Sequence, residues 1–191
     1  MKTLGVQERA EYPKHIPVLL NDFIDKLKPF SGVWVDGTFG DGGYSEILLK
    51  SDVKAVIAID RDPSVKASAF ELSKRFPTKF SFINERFSKL AEIVKSVGFK
   101  SVDGVLLDLG VSSMQIDQAD RGFSFLKNGP LDMRMSSSGM SAFDVVNSFS
   151  EKDLANIIYT FGEERFSRRI AKNIVQERAN KKIDSTETLT N

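Results

Sequence analysis

Asp36, Asp60 and Asp108 each close an apolar run, and a glycine-rich turn follows the first of them. The stretch is Val33-Trp34-Val35-Asp36-Gly37-Thr38-Phe39-Gly40-Asp41-Gly42-Gly43-Tyr44-Ser45. Glycines let backbone N–H groups come close to a ligand, and a helix start just after them favours negative charge. Asp60 follows the glycine turn by about twenty positions, the distance at which a second strand ends beside the first and its acid can bond both hydroxyls of an adenosine ribose. Asp108 ends a later apolar run, at the edge where open α/β sheets bind ligands. The chemistry available to this set is the holding of a nucleoside-type ligand. The dinucleotide fingerprint G-x-G-x-x-G is missing. Taken alone, the glycine stretch also fits a plain strand-to-helix turn, and each acid a surface residue ending a strand.

The elements that must position these residues follow from the apolar patterning. Residues 33–36 read as a first strand, and Tyr44 to Leu49 begin a helix. Lys54 to Asp60 forms a second strand whose β-branched and small residues suit burial on both faces. Pro63 opens a helix carried by Ser64 to Phe76, Lys79 to Ile83 is a third strand, and a helix from Ser88 shows a Leu90, Ile93, Val94, Val97 stripe stopped by Gly98. Val102 to Asp108 is the fourth strand. Strands alternating with helices predict a parallel α/β sheet. Ahead of it, Asn21 caps a short helix to Leu27 with Phe23, Ile24 and Leu27 inward. His15, the sole histidine, reads as either a site residue or a packing residue beside Pro17.

The pattern changes after the fourth strand. Residues 112–139 are irregular and rich in Gly, Ser and Met, and a loop this long is commonly functional or disordered. Ser141 caps a helix to Asn147. Ser150 with Asp153 caps another, with Leu154, Ile157, Ile158 and Phe161 inward and Gly162 as its breaker. A last helix runs from Glu163 to about Ala179, burying Phe166, Ile170 and Ile174. The expected division is therefore a cofactor-binding domain over 1–111 and an irregular, helical domain over 112–191. The last helix carries Arg165, Arg168, Arg169 and Lys172, and from Glu163 to Lys182 there are seven basic and three acidic residues. Such a face neutralises phosphates, although a charge run is more commonly just a solvated helix surface.

Composition narrows the classes. The 191 residues suffice for one good-sized core or a domain with an insert. With Lys+Arg 27 against Asp+Glu 26, no global basic field announces a nucleic-acid partner, so any basic surface must be local. There is no cysteine, hence no disulfide and no thiolate metal site, and the sequence shows no other metal-binding cluster. No apolar run has the length of a membrane span, and Met1 to Lys14 lack an apolar signal region, so the expected location is cytoplasmic, away from membranes.

Several stretches together resemble one family. His15-Ile16-Pro17-Val18-Leu19, Asp36-Gly37-Thr38-Phe39-Gly40-Asp41-Gly42-Gly43, Asp108-Leu109-Gly110-Val111-Ser112-Ser113, Arg121-Gly122-Phe123-Ser124-Phe125, Pro130-Leu131-Asp132-Met133-Arg134-Met135 and Gly162-Glu163-Glu164-Arg165 are similar to motifs of the bacterial small-subunit (16S) ribosomal RNA cytosine-N4 methyltransferases. The resemblance runs from His15 onward. It implies a Rossmann-like sheet with a mainly helical inserted domain for RNA recognition. It also implies methyl transfer from S-adenosylmethionine to the N4 amine of a cytidine in the decoding region, on the RNA or the assembled small subunit. Carried over by position, the cofactor contacts are Gly42, Gly43, Tyr44, Asp60, Phe87, Asp108 and Gln115. Asp108 is also the candidate catalytic group. Arg134, with Asp132, joins Arg165, Arg168, Arg169 and Lys172 on the RNA side.

The chain departs from the family in two places. Tyr44 stands where the family usually has histidine. Members also continue with further strands that close the sheet, so the resemblance predicts a truncated member with an incomplete sheet. Val105-Leu106-Leu107 would then have an unpaired side, an edge that invites self-association. Two other functions fit parts of the sequence. A non-catalytic remnant that binds cofactor or RNA fits the early end. A nicotinamide-dependent oxidoreductase fits Asp60 but not the missing fingerprint.

Overall fold

The computed structural model describes residues 19–191, so His15 and Pro17 lie outside the described residues. Two compact units divide the chain after Asp108.

The first unit carries a parallel sheet of β1 (Ser31–Asp36), β2 (Asp52–Ile59), β3 (Phe80–Ile83) and β4 (Gly104–Leu106). Its strand order is β3-β2-β1-β4. With α2 (Gly43–Leu49), α3 (Lys66–Arg75) and α4 (Leu90–Ser96) between the strands, this is a Rossmann-like arrangement. Alternation along the strands splits the core. Val33, Val35, Ala55, Ile57 and Ile59 pack on Ile93 and Val94 of α4, backed by Leu90 and Val97. The intervening Val56 and Ala58 are fully buried as well, so β2 is covered on both faces. A short 3-10 turn, Pro63–Val65, precedes α3 and is capped by Asp62, which accepts from Ser64 N–H at 2.9 Å.

Three expectations change here. The first helix, α1 (Leu20–Leu27), begins before Asn21, and Leu19 precedes it with no side-chain cap. Phe23 provides the anchor instead, stacking on Phe30 at 5.0 Å and meeting Trp34 and Tyr44 edge-on, whereas Leu27 stays exposed. The fourth strand is shorter than its apolar run. It keeps three residues, paired with β1 from Trp34↔Gly104 to Asp36↔Leu106, and Asp108 lies beyond it. Among the described residues nothing pairs with its outer side, and Val105 is 46% exposed.

In the second unit the irregular segment contains a helix that the sequence did not suggest, α5 (Ser113–Asp117), closed by a capping box between Ser112 and Gln115. The helices α6 (Ala142–Ser148) and α7 (Glu151–Gly162) start at Ser141 and Ser150 as their capping residues require. Leu131, Val146 and Ile183 form one small core, and Leu154 and Ala155 with Ala171 of α8 (Ser167–Asn180) form another. Pro130 bridges Ser185 just ahead of α9 (Thr186–Thr190), which brings the far end of the unit back to the loop before α6.

The aromatics at the α7–α8 corner are not core. Phe161 is 82% exposed and Phe166 is 53% exposed, although helical spacing placed both inward. Gly162 is the last residue of α7, and the left-handed position that turns the chain is Glu163, at φ 53°. Phe166 therefore sits at the start of α8 rather than within it, off its buried stripe.

Candidate functional site

Asp36 ends β1 with no exposure at all. Ser45 Oγ of α2 donates to its Oδ2 at 2.7 Å, and Thr38 N–H donates to its Oδ1 at 3.3 Å. Burial raises its pKa to about 6, partly offset by those bonds and reinforced by the negative charges of Asp60 and Asp108. The carboxylate thus ties the strand end, the turn and the following helix together.

The turn itself is sewn to its neighbours on both sides. Gly37 N–H donates to Leu106 O at 2.9 Å and Phe39 N–H to Ile59 O at 3.1 Å. Gly40 N–H donates to Asp60 Oδ2 at 2.8 Å, while Asp60 Oδ1 accepts from Asp62 N–H at 2.9 Å. Each Asp60 oxygen is thereby oriented by one backbone donor and retains acceptor capacity for a further hydroxyl. Two glycines are required sterically. A Cβ on Gly42, at φ +80°, would lie 2.8 Å from the Phe39 ring and 3.0 Å from Leu72. A Cβ on Gly37 would lie 2.5 Å from Leu107 Cδ2 and 3.2 Å from Phe87 Cβ. Gly37 is therefore the point at which β1, the end of β4 and Phe87 converge.

Asp108 enters the same place from β4. Its N–H donates to Thr38 Oγ1 at 2.8 Å, and its carboxylate stands close enough to the Tyr44 hydroxyl to act on that hydroxyl's proton affinity. Tyr44 is only 7% exposed, and burial, followed by the nearby Asp108 charge, pushes its pKa up, so it keeps its proton. Asp108 itself is exposed. The structure thus gathers Gly42, Gly43, Tyr44, Asp60, Phe87 and Asp108 around one turn of the first unit. Sequence reasoning passed over Gly37 and Thr38, although both stand in the turn, and over Ser45, whose signal was only a polar residue at a helical position facing the core.

Gln115 belongs to the second unit and is 4% exposed, its side-chain oxygen accepting from Ser112 N–H at 3.0 Å. Arg134 is also committed. Its Nη2 donates to Asp132 Oδ2 at 2.6 Å, its Nε to both Asp132 oxygens, and its Nη1 to Gly139 O at 3.2 Å. That pair holds the Asp132 carboxyl below its usual range and makes Arg134 a brace of the loop before α6. Arg178 is a second brace, donating to Val146 O and Phe149 O. Arg165, Arg168, Arg169 and Lys172 differ: none makes an ion pair or side-chain hydrogen bond among the described residues. No group of acidic residues and histidines among the described residues is arranged to hold a metal ion, and no described helix is long and apolar enough to cross a membrane.

A parallel sheet with acids at three strand ends, around a turn that requires glycine at 37 and 42, has the architecture of a Rossmann-like methyltransferase. The comparison with known proteins is specific: the chain belongs to the MraW methylase family, whose model matches residues 12–191. It is 51% identical over 176 residues to "Ribosomal RNA small subunit methyltransferase H" of Maricaulis maris, covering 92% of this chain and 53% of that protein. The protein of the same name from Rhodopseudomonas palustris (strain ATCC BAA-98 / CGA009) is 51% identical over 92% of this chain and 53% of its own length. The one from Paramagnetospirillum magneticum is 52% identical over 90% of this chain and 54% of its own length. The chain thus spans about half the length of the curated relatives it matches.

Proposed function

We propose that the chain binds S-adenosylmethionine in its first unit and serves methyl transfer to the N4 amine of a cytidine in small-subunit ribosomal RNA. The observation that carries this is the convergence of Asp36, Asp60 and Asp108 on the glycine turn. Three carboxylates there create a negative field, which suits a ligand whose reacting end is a sulfonium beside an ammonium. The same field opposes the doubly charged pyrophosphate of a nicotinamide dinucleotide. Gly37 and Gly42 let the turn pack directly on Leu107, Phe87, Phe39 and Leu72, which holds its backbone in place beside the three acids. Asp60 is the group for the ribose hydroxyls, Phe87 (41% exposed) an apolar face for the base, and Gly42, Gly43 and Tyr44 the floor.

When bound, S-adenosylmethionine supplies an electrophilic methyl group. The chain's own part is to prepare the amine, a weak nucleophile because its lone pair is delocalised into the ring. Asp108 accepts a hydrogen bond from the amine as it becomes tetrahedral. Thr38 Oγ1 holds the Asp108 backbone N–H, and the buried Tyr44 hydroxyl stands beside its carboxylate, so that little reorientation is needed at that moment. Gln115, Arg134 and Asp132 are assigned to the cofactor and RNA sides only through the family motifs.

Calorimetric titration tests the reading. S-adenosylmethionine should bind the wild-type chain, and NAD should not. Asp60→Asn should weaken binding by roughly 1.5–3 kcal/mol, the scale of charge-assisted hydrogen bonds. Equal affinity for NAD, or unchanged S-adenosylmethionine binding in a folded Asp60→Asn protein, would overturn it.

A further inference from the structure

Small residues close the contact between α7 and α8. Ala155, Ser167 and Ala171 are all buried there, at 4%, 4% and 0% exposure. Beside this contact, open to solvent, lies a cavity of about 170 Å³. Its lining is Ala155, Asn156, Tyr159, Arg165, Ser167 and Arg168. That space is far above the ~10–15 Å³ a single water needs.

Its chemistry is one-sided. Arg165 and Arg168 face it with no carboxylate within ion-pair distance among the described residues, and the Ser167 side chain completes the polar lining. The adjacent Glu164 is occupied as a cap, its Oε1 accepting from Phe166 N–H at 2.7 Å. Two aromatic faces stand beside the cavity in solvent: Tyr159 at 63% exposure and Phe166 at 53%. The Arg169 guanidinium lies 4.6 Å from the Phe166 ring centroid and that of Arg165 lies 6.0 Å away, so this aromatic carries cations on its surface.

We propose that the α7–α8 corner is a binding site for an unpaired stretch of RNA, with a phosphate held between Arg165 and Arg168 and flanking bases stacked on Tyr159 and Phe166. The inference deepens the ribosomal RNA reading above and rests on it for the identity of the nucleic acid. A cationic cavity alone would serve any anion. The exposed aromatic faces make the difference, because bases reach them only when unstacked and unpaired. A duplex offers the phosphates but not the base faces.

The test is fluorescence anisotropy of the full chain with an eight-nucleotide single-stranded RNA, the same sequence as a duplex, and inorganic phosphate as competitor. The single strand should bind more tightly than the duplex. Tyr159→Ala and Phe166→Leu should each weaken single-strand binding about 5- to 100-fold and leave duplex binding little changed. Arg168→Gln should weaken both and reduce the salt slope by about one. Tyr159→Phe, which keeps the ring, should restore wild-type affinity, and Lys181→Glu, a charge change outside the cavity, should not reproduce the loss of discrimination. S-adenosylmethionine titration of each variant reports an intact first unit, and thermal melting by circular dichroism checks the second.

Equal binding of single strand and duplex, or aromatic variants that bind like wild type, would overturn the proposal and leave a general anion patch. Full displacement by inorganic phosphate with no aromatic contribution would do the same. A chain that discriminates single strands through Tyr159 and Phe166 but does not bind S-adenosylmethionine supports this site while refuting the cofactor reading.

Discussion

Asp36→Asn is expected to stabilise the protein at neutral and alkaline pH while weakening its ligand site. Asp36 has no solvent exposure, and its pKa is raised to about 6 from an ordinary 3.8, chiefly by burial. At about 1.4 kcal/mol per tenfold change in proton affinity, that gap corresponds to roughly 3 kcal/mol. The native state holds this proton more tightly than the unfolded chain does. The contribution to stability is therefore full below pH 3.8, and it is lost as pH rises through about 6. Above that pH the protein carries a buried charge near two other carboxylates. Asparagine removes the charge, keeps an oxygen for Thr38 N–H, and turns its amide toward Ser45, whose hydroxyl can accept. Discounting for imperfect amide geometry, Asp36→Asn should gain about 1–3 kcal/mol at pH 8, with the gain falling by about 2 kcal/mol by pH 4.5. Urea unfolding of both proteins at pH 4.5, 6, 7 and 8 measures this directly. The difference between them isolates Asp36 from carboxylates such as Asp132 and Asp144, whose pKa values are lowered and whose contributions run the other way with pH. A stability difference that is constant across that range would refute the account of Asp36 as a buried titrating charge.

Asp60→Asn should cost stability as well as cofactor affinity, by about 1 kcal/mol, because its carboxylate also secures Gly40 N–H and Asp62 N–H; identical urea midpoints for the two proteins would argue against that second role. Gly42→Ala should destabilise by about 1–2 kcal/mol, from its left-handed backbone and the Phe39 ring at 2.8 Å, and a neutral result in thermal melts would show that the turn relaxes freely. Tyr44→Phe should fold normally yet slow methyl transfer, since the Asp108 carboxylate loses its neighbouring hydroxyl, and unchanged kcat would remove Tyr44 from the mechanism. The outer side of β4, with Val105 46% exposed, should support concentration-dependent association that Val105→Lys weakens; sedimentation velocity showing one concentration-independent species in wild type would refute it.

The sheet was legible because its strands announce themselves. The second strand, Asp52–Ile59, is an apolar run with an acid just past its end, and the third and fourth carry the same kind of signal. The glycine turn was legible as a turn, but its stitching was not. That Thr38 receives Asp108 N–H, or that Gly40 reaches Asp60, depends on how far β1 protrudes beside β2 and β4, a register that no local pattern encodes. The fourth strand was overread for a related reason. Apolar residues at 105–107 look like strand interior, yet only one neighbour pairs with them in the described sheet, and the strand stops at Leu106. The grip of Asp132 on Arg134 was not legible either, because sequence cannot show that a carboxylate two positions away folds back onto the guanidinium.

The most informative failures lie at Phe161 and Phe166. Helical periodicity assigns an aromatic to the core because burying one contributes more than burying almost any other side chain. At the α7–α8 corner that preference is overridden. The left-handed Glu163 ends α7 and restarts the chain with Phe166 before the first turn of α8 rather than on its buried stripe. Ala155 and Ala171 make the close interhelical contact themselves, so the ring lies outside it. Leaving these aromatics in water forgoes stabilisation, just as burying the Asp36 charge does in the first unit. Local rules tend to be broken where a site needs the group displayed or charged, and both violations here fall at candidate binding sites. That coincidence favours reading Phe166 with its two arginines as a surface built for contact. It also explains why the buried stripe of α8 passes through Ser167 and Ala171, small residues that draw the helices close enough to set Tyr159 and Arg168 on the rim of one cavity.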